Sequence, residues 1–237
     1  PDTPYARILR QVTERFSAAL AARLQRLVGH PARCLDIGIS IIDAGRIKPH
    51  LNTYERWLTV YCAINPDVHE LRSEDDRLFF ARAVGEYVPF SDDVFDLVLI
   101  HSTLDHCVDP DKVLREIRRV LAPGGIVSMY LNNNQSWAKR AFPRHARRRR
   151  AAAAEFHSSF FDPATVAGQL RAQGFEVVQV DGLRYLMLPP RVLELIGRAG
   201  AGWASGWLAW IDRLGNRLAP ELGGDFHLVA RKTAPSP

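Results

Sequence analysis

The stretch from Pro89 to Gly125 limits the fold more than any other part of this 237-residue chain. Its short apolar run, Phe95 to Ile100, is rich in branched residues and typical of a parallel strand buried on both faces. Apolar residues recur at helical spacing from Val113 to Leu121, and the Pro123 to Gly125 segment then ends that helix and turns the chain. Another apolar strand, Ile126 to Leu131, follows. This order predicts one half of a doubly wound α/β sheet.

Four short motifs lie in or beside the same stretch. They are Val88-Pro89-Phe90, Asp92 to Asp96, Leu104-Asp105-His106 and Arg119 to Gly125. In this order they resemble the second half of a class I S-adenosylmethionine-dependent methyltransferase of the small-molecule, type 11-like group. The resemblance implies a Rossmann-like, mostly parallel seven-stranded sheet with an antiparallel last strand, and S-adenosylmethionine as the cofactor.

The rest of the chain continues the alternation of strands and helices. An amphipathic helix is predicted from Pro4 to Val28, and a second helix within Phe160 to Gly174, where Asp162 is the cap. The other predicted strands are Arg33 to Ile37, Thr59 to Ile64, Val84 to Val88, Phe175 to Val180 and Phe226 to Arg231. We expect a single methyltransferase domain, with the amino-terminal helix in 1–30, a cofactor-binding half in 31–131 and an acceptor-side half in 132–237.

A helical insert is predicted before the last strand, over residues 183–224. Trp203, Trp207 and Trp210 recur there at helical spacing and belong to an apolar stripe along one side of the predicted helix. The stripe is interpreted as core or as a dimer contact, and an interfacial helix on lipid is the alternative. The amino-terminal helix is interpreted as a packed outer helix. The resemblance to the family implies, as an alternative, that this helix covers the active-site face.

The composition fits one soluble globular domain. The net charge of +5 is a mild excess, concentrated in the run Arg144 to Arg150, so a nucleic-acid partner is not expected. Three widely spaced cysteines, Cys34, Cys62 and Cys107, favour neither a disulfide framework nor a zinc cluster, and a reducing cytoplasm is expected. No apolar run approaches the roughly 20 residues that span a bilayer.

The loop after the first strand is the expected cofactor site, because ligands bind where strand order reverses. The family's form is an acidic residue followed by three alternate glycines. Asp36 and Gly38 match it, while Ser40 and Ile42 replace the second and third glycines. Asp36, Gly38 and Ser40 are therefore predicted to bind the cofactor, although a Cβ in this loop hinders close approach of the backbone.

Two further cofactor positions also depart from the family pattern. Asn65 stands where an acidic residue usually accepts both ribose hydroxyls, and Asp67 is a substitute if the turn is shifted. Val84 replaces the acidic residue that meets adenine, and Gly85 and Glu86 are the predicted adenine contacts instead.

Three histidines are candidates for the chemistry. His106 matches the motif histidine and is predicted either to hold its loop or to assist the transfer as a base. His157 resembles the histidine that many small-molecule methyltransferases carry before the helix preceding the sixth strand, and it is predicted either to face the acceptor or to cap that helix. His101, at the end of a strand, is predicted to lie beside the methionine end of the cofactor. No metal site is expected from His101, His106, Cys107 and Asp109, because side chains at this spacing would have to converge on one point from an irregular loop.

Two polar segments leave alternatives open. The segment Asn132 to Trp137 suits either hydrogen bonding to a hydroxylated acceptor or an ordinary solvated turn. The run Arg147 to Arg150 precedes Ala151 to Ala154, so it is interpreted as the first part of a helix or as a mobile loop over the site, and its arginines suit recognition of phosphate or carboxylate.

The predicted function is methyl transfer from S-adenosylmethionine to oxygen or nitrogen of a small or carrier-bound metabolite or glycan. The sequence leaves the oligomeric state open, with a homodimer as one expectation. One alternative is a non-catalytic binding or assembly partner with a degenerate cofactor site, and a second is non-methyl chemistry on the same fold. Ser40, Ile42, Asn65 and Val84 motivate the first alternative.

Overall fold

The computed structural model of the chain describes residues 3–38, 57–67, 76–153, 159, 161–186, 188 and 190–234. The helices are α1 (Pro4–Val28), α2 (Pro110–Val120), α3 (Trp137–Ala141), α4 (Pro143–Ala153), α5 (Pro163–Ala172) and α6 (Pro190–Leu218). The strands are β1 (Ala32–Ile37), β2 (Leu58–Ile64), β3 (Leu78–Ala81), β4 (Phe95–His101), β5 (Leu121–Asn132), β6 (Phe175–Leu183) and β7 (Asp225–Lys232). Short 3₁₀ turns occur at Leu104–His106 and Pro220–Leu222.

The strands form one seven-stranded sheet in the order β3-β2-β1-β4-β5-β7-β6. The pairs from β3 to β5 are parallel, and β7 lies antiparallel between β5 and β6. The predicted Rossmann-like sheet and its antiparallel last strand are thereby confirmed. The order reverses between β1 and β4, which is where an open α/β sheet binds its ligand.

Local signals place the helices that flank the sheet. Thr3 caps α1 by accepting a hydrogen bond from the Ala6 amide, and Gly29 ends it at φ +80°. Asp109 and Asp162 cap α2 and α5 in the same way, each followed by proline at the first helical position. The helices predicted at Pro4 to Val28 and behind Asp162 therefore begin where the sequence indicates.

Two apolar layers lie on opposite faces of the sheet. Val113 and Ile117 of α2 and Leu170 of α5 pack with one set of strand residues. Leu20 and Leu24 of α1 pack with the other set. Because successive strand residues point to opposite faces, every central strand must be apolar on both sides, which explains its continuous apolar run.

Arg119 joins three of the sequence motifs. Its guanidinium donates to the carbonyl oxygens of Val88 at 2.9 Å and Phe90 at 2.7 Å, and to carboxylates of Glu116 and Asp92 at 2.8 Å. The motif at 88–90, the segment at 92–96 and the helix end are therefore one hydrogen-bonded cluster. A lysine could not reproduce it, since it lacks the planar fork of donors.

The third strand was predicted in the wrong place. Leu78–Ala81 pairs with β2, whereas Val84 and Tyr87 form only an isolated antiparallel bridge. The edge strand has only four residues and none of them is fully buried, so it lacks the longer buried run that marks the inner strands. The segment from 84 to 88 instead passes the end of the sheet, and it carries Gly85 and Glu86, two of the residues predicted to contact the cofactor.

The insert contains one kinked helix. α6 changes direction at Gly200 and packs beside α1. Its tryptophans are exposed, so the interpretation of the stripe as core is wrong. Gly197 faces Pro4 and Ile8, where an added Cβ would lie 2.8 Å and 3.0 Å from their side chains. Within the described part of the chain, no helix combines the length and apolar character needed to cross a bilayer.

Candidate cofactor and methyl-transfer site

A cavity of about 560 Å³ opens at the carboxyl ends of β1, β2 and β4, at the point where strand order reverses. Its lining combines apolar side chains near the sheet with polar groups above them. The lining residues are Ile37, Gly38, Ile64, Asn65, Pro66, Asp67, Ala83, Val84, Gly85, Glu86, Ser102, Thr103, His106, Cys107 and Val108. Five of the predicted site residues, Gly38, Asn65, Gly85, Glu86 and His106, are thus brought together.

Gly38 begins the loop after β1 in a left-handed conformation, at φ +86°. Its amide donates to the Ile64 carbonyl oxygen at 2.8 Å. A Cβ at this position would lie 2.1 Å from Cγ2 of Thr103, whose hydroxyl donates to the His101 carbonyl oxygen at 3.0 Å. Both the backbone angle and the close approach of Thr103 therefore require glycine.

Gly85 lets the segment after β3 approach the sheet closely. A Cβ there would lie 3.2 Å from the methyls of Val113 and 3.3 Å from Cγ2 of Ile37. The backbone of Gly85 thus forms part of the cavity wall without a side chain above it.

Glu86 connects two walls of the cavity. Its Oε1 accepts hydrogen bonds from the amides of Val108 at 2.8 Å and Asp109 at 3.2 Å. These amides precede α2, so the Glu86 carboxylate also complements the positive end of that helix. Glu86 thereby holds the loop that carries His106 over the cavity.

Asn65 occupies the turn after β2. Its Oδ1 accepts a hydrogen bond from the Asp67 amide at 2.7 Å, which closes an Asx turn. Both side chains line the cavity. The polar groups at the position predicted for the ribose are therefore an amide and the exposed carboxylate of Asp67 beside it.

Asp36 does not line the cavity. It alternates with Leu35 and Ile37 in β1, so its side chain lies on the α1 face of the sheet. There its carboxylate accepts a hydrogen bond from the Tyr61 hydroxyl. The structure thus separates Asp36 from Gly38, its partner in the motif.

His106 lies at the rim of the cavity. Its side chain is about half exposed, and its Nε2 lies 4.0 Å from Oδ1 of the buried Asp105. Cys107 lines the same wall, and burial, followed by the charges of Glu86 and Asp105, raises the pKa of its thiol to about 12. Near neutral pH, Cys107 is therefore a protonated thiol and not a nucleophile.

His101 lies on the opposite face of the sheet from His106. Its Nε2 is 3.1 Å from Oγ of Ser128, which is in turn 2.8 Å from Nε2 of His227. Burial, and then the proximity of His101, lower the pKa of His227 to about 3. Sequence reasoning missed Ser128 and His227, whose strands are apolar in pattern. The β4–β5 pairing brings Ser128 to His101, and the β5–β7 pairing adds His227.

The segment Asn132 to Trp137 is part of the structural framework. Asn133 is buried and donates to the carbonyl oxygens of Glu221 and Gly223 at 2.8 and 2.9 Å. The Trp137 indole donates to the Tyr185 carbonyl oxygen at 2.6 Å. These bonds exclude an ordinary solvated turn, and contact of this segment with the acceptor stays a prediction.

Two predicted site residues, Ser40 and His157, lie outside the described residues, as does Ile42. The run Arg147 to Arg150 lies within α4, which agrees with the helical interpretation and not with a loop, and Arg147 and Arg148 are exposed. Among the described residues, no group of three or more histidine, cysteine or acidic side chains is arranged to hold a metal ion.

The cavity fits an S-adenosyl cofactor in its size and in its arrangement of groups. Gly38 and Gly85 would present backbone without side chains to such a ligand, and Ile37, Ile64 and Val84 would form an apolar wall beside adenine. Asn65 and Asp67 offer polar groups for the ribose. When bound, this cofactor supplies an activated methyl group on sulfur, so the protein's task is to orient the acceptor and exclude water.

Comparison with known proteins decides the family. A family model described as "Methyltransferase domain" matches residues 44–129. Malonyl-[acyl-carrier protein] O-methyltransferase from Geobacter sulfurreducens is 30% identical over 220 residues, which cover 85% of this chain and 76% of that protein. The chain belongs to the S-adenosylmethionine-dependent methyltransferases. S-adenosylmethionine is accordingly its cofactor.

One further relative matches over a shorter stretch, and a solved structure matches in fold. The ubiquinone/menaquinone biosynthesis C-methyltransferase UbiE of Vibrio campbellii is 33% identical over 108 residues, 45% of this chain and 34% of that protein. The Burkholderia thailandensis 1,6-didemethyltoxoflavin-N1-methyltransferase, solved with its substrate and S-adenosylhomocysteine, has a TM-score of 0.54 at 17% identity. That match covers 93% of the present chain and 78% of the Burkholderia chain, and it shows that the two share a fold.

Proposed function

We propose that this methyltransferase transfers the methyl group to an oxygen or nitrogen of a small or carrier-bound acceptor, with oxygen favoured. The observation that supports this most is the cavity at the strand switch point, where the glycine-lined wall and His106 share one opening. Oxygen is favoured because the relative that matches over 76% of its length is an O-methyltransferase.

We assign His106 as the group that assists proton removal. It carries the one imidazole among the cavity-lining residues described, and its exposed position at the rim leaves it accessible to an acceptor. Asp105, 4.0 Å away, stabilises an imidazolium when a proton has been taken up. General-base assistance of this kind contributes about 10² to 10⁴ in rate. His157 stays a second candidate from the sequence.

The acceptor class determines whether a base is needed. A hydroxyl or an ammonium must lose a proton before or during the transfer, whereas a carboxylate is already ionised near neutral pH. Replacing His106 therefore slows methylation of a hydroxyl or amine but leaves methylation of a carboxylate nearly unchanged. The size of this effect distinguishes the acceptor classes.

The test measures methyl transfer from isotopically labelled S-adenosylmethionine to three kinds of acceptor: malonyl thioesters of a carrier protein, small phenols and sugars, and small amines. Methylation of one class above background supports the proposal. His106→Gln should then lower kcat by about 10² or more for a hydroxyl or amine, with little change in KM. His30→Gln, which removes an exposed imidazole outside the cavity lining, is the matched control.

Binding of S-adenosylhomocysteine is measured by calorimetry in the same preparation. Cofactor binding without methylation of any class would count against the acceptors proposed. If neither S-adenosylmethionine nor S-adenosylhomocysteine bound, the non-catalytic alternative raised by Asn65 and Val84 would replace the proposal.

A further inference from the structure

The second half of α6 exposes a stripe of large apolar side chains. Trp203, Trp207, Trp210, Leu214 and Leu218 have exposed fractions of 68%, 37%, 53%, 42% and 76%. At 3.6 residues per turn the five positions fall within an arc of about 80°. We call these five residues the tryptophan stripe. The rings of Trp203 and Trp207 are stacked, with centroids 6.4 Å apart and planes 4° from parallel.

The polar side of the same helix faces the protein. Ser205 donates to the Gln11 side chain at 2.8 Å, Asp212 accepts from the Tyr185 amide at 3.0 Å, and Asn216 accepts from the Gly182 amide at 2.9 Å. These bonds fix the rotation of α6, so the stripe cannot turn inward without breaking them. A helix that directs aspartate inward and exposes tryptophan reverses the arrangement usual at a water-facing surface.

The exposed apolar area of the stripe is comparable to the largest patch of a typical monomer. The three tryptophans alone expose about 400 Å², taking a full area of about 250 Å² for each side chain. The largest apolar patch of a typical monomer measures about 300–600 Å² and is often functional. The stripe is therefore a surface that contacts an apolar phase or a partner.

The exposed charges of α6 all have one sign. The described residues include Arg191, Arg198, Arg213 and Arg217 as exposed cations on this helix. Its two acidic residues, Glu194 and Asp212, accept hydrogen bonds from backbone amides of the body. The first exposed carboxylate along the chain is that of Glu221, after the helix has ended.

A second cationic element begins close to α6. Trp137 at the start of α3 donates its indole hydrogen to the Tyr185 carbonyl oxygen, and the Tyr185 ring lies 2.6 Å from where a Cβ on Gly215 of α6 would be. From α3 the chain continues into α4 without an acidic residue between 133 and 154. We call residues 139–150 the basic segment. Its cations are Lys139, Arg140, Arg144, Arg147, Arg148, Arg149 and Arg150.

We propose that the tryptophan stripe and the basic segment dock the protein on the surface of an anionic lipid bilayer, with α6 lying in the plane of the interface. Indole rings are favoured at the depth of the headgroups, and arginine stems extend along the apolar boundary with their guanidinium groups in the headgroup layer. A cluster of four to eight cations beside such a helix is typical of binding to anionic lipid.

A second copy of the chain fits this surface less well. The exposed charges of α6 are all cations, so a two-fold pairing of two stripes offers no exposed carboxylate from either α6 to neutralise them. An acidic carrier protein complements the charges, but it does not account for three exposed indoles in one row. The docking surface lies outside the residues that line the cofactor cavity, so the proposal does not rest on the proposed methyl acceptor.

Flotation with lipid vesicles tests the proposal. Purified protein is mixed with vesicles of phosphatidylcholine, or of phosphatidylcholine with about 30% phosphatidylglycerol, at low and at high salt. The expected result is binding to the anionic vesicles at least about tenfold stronger than to the neutral ones, weakened by salt. Tryptophan emission should shift to the blue on binding, as exposed indoles enter the interface.

Matched variants separate the apolar and the charged contributions. Trp203→Gln with Trp210→Gln, and Arg144→Gln with Arg147→Gln and Arg148→Gln, should each reduce binding to anionic vesicles at least about fivefold. The controls are Phe79→Gln, an exposed aromatic on the edge strand, and Arg171→Gln on α5, which covers the opposite face of the sheet. Thermal unfolding and S-adenosylhomocysteine affinity should stay unchanged in all four proteins, since the altered side chains are exposed and lie outside the cavity.

Three results would overturn the proposal: equal binding to neutral and anionic vesicles, no binding to either, or binding unchanged by both variants. Sedimentation that shows a dimer abolished by the tryptophan variants would assign the stripe to a second copy. Binding to an acidic carrier protein that depends on the stripe, without binding to vesicles, would assign it to that class of partner.

Discussion

The methyl group of Thr103 lies 2.1 Å from the point where a β-carbon on residue 38 would stand. The loop after β4 thus packs directly on the loop after β1, across the point where the strand order reverses. The family's first glycine therefore has a role within the protein, in addition to giving the ligand room.

Gly38→Ala should weaken cofactor binding and destabilise the fold. The left-handed φ costs an alanine about 1–2 kcal/mol, and the clash with Thr103 adds about 1–3 kcal/mol or displaces the β4 loop. We expect at least about a tenfold loss of S-adenosylhomocysteine affinity, measured by calorimetry, and a lower free energy of unfolding.

Gly124→Ala is the matched control for Gly38→Ala. Gly124 has φ +78°, but no other group lies within 4 Å of the point where its β-carbon would stand, so only the backbone strain is reproduced. This variant should lose stability and keep its cofactor affinity. Equal stability and equal affinity in the two variants would show that contact with Thr103 has no energetic importance.

Asn65→Asp should raise cofactor affinity. A carboxylate keeps the oxygen that accepts from the Asp67 amide and supplies a second, charged acceptor for a ribose hydroxyl. A hydrogen bond to a charged group is worth about 1.5–3 kcal/mol, so we expect about a tenfold gain in affinity. Calorimetry with S-adenosylhomocysteine measures it.

Asn65→Ala serves as the comparison, because it removes the turn as well as the polar group. It should bind the cofactor more weakly than the wild type. If Asn65→Asp and Asn65→Ala both left the affinity unchanged, the assignment of this turn to the ribose would be wrong.

Glu86→Ala should loosen the loop that carries His106. Without the carboxylate, the amides of Val108 and Asp109 lose their acceptor, and hydrogen exchange at both should become faster. We expect about a three- to tenfold loss of cofactor affinity, since the loop forms one wall of the cavity.

Glu86→Gln keeps an acceptor oxygen and should retain most of the protection of the two amides. Glu176→Ala, an exposed carboxylate on β6, controls for the lost charge. Unchanged exchange at Val108 and Asp109 in Glu86→Ala would remove the basis of this prediction.

Local patterns in the sequence predict most of the fold. The buried strands, the amino-terminal helix and the Asp162 cap all follow from apolar spacing and cap residues, because these signals act over a few positions. The edge strand at Leu78–Ala81 was missed, since one exposed face and four residues leave little pattern to recognise. The apolar stripe of α6 was found, but its spacing alone did not tell whether it faces the core or the surface.

The candidate site is less accessible to sequence reasoning. Gly38 and His106 were identified by motif and Gly85 by its place beside the altered adenine position, and all three line the cavity. The bond from Glu86 to the amides before α2 joins residues more than twenty positions apart, and Thr103 meets Gly38 only through the pairing of β1 with β4. Such contacts depend on the assembled sheet and leave no local pattern. Ser128 and His227 are hidden for the same reason.

The buried His227 should make stability depend on pH in a definite window. Burial lowers its pKa from 6.5 to about 3 in the folded protein, so the unfolded chain binds the extra proton between those values. The stabilising effect of neutral His227 is therefore complete above pH 6.5 and is lost progressively as the pH falls toward 3. At pH 5 the loss amounts to about 2 kcal/mol.

Urea unfolding of the wild type and of His227→Gln between pH 7.5 and 5 measures this effect. Glutamine can still hydrogen bond to Ser128 but does not titrate, so the variant should be less stable at pH 7.5 and change less as the pH falls. Asp181 does not interfere in this range. Burial raises its pKa, but hydrogen bonds from Arg23, Asn216 and Gln179 bring the net value below normal, so its contribution is lost only near and below about pH 4. Parallel slopes for the wild type and His227→Gln would show that His227 is not the titrating group.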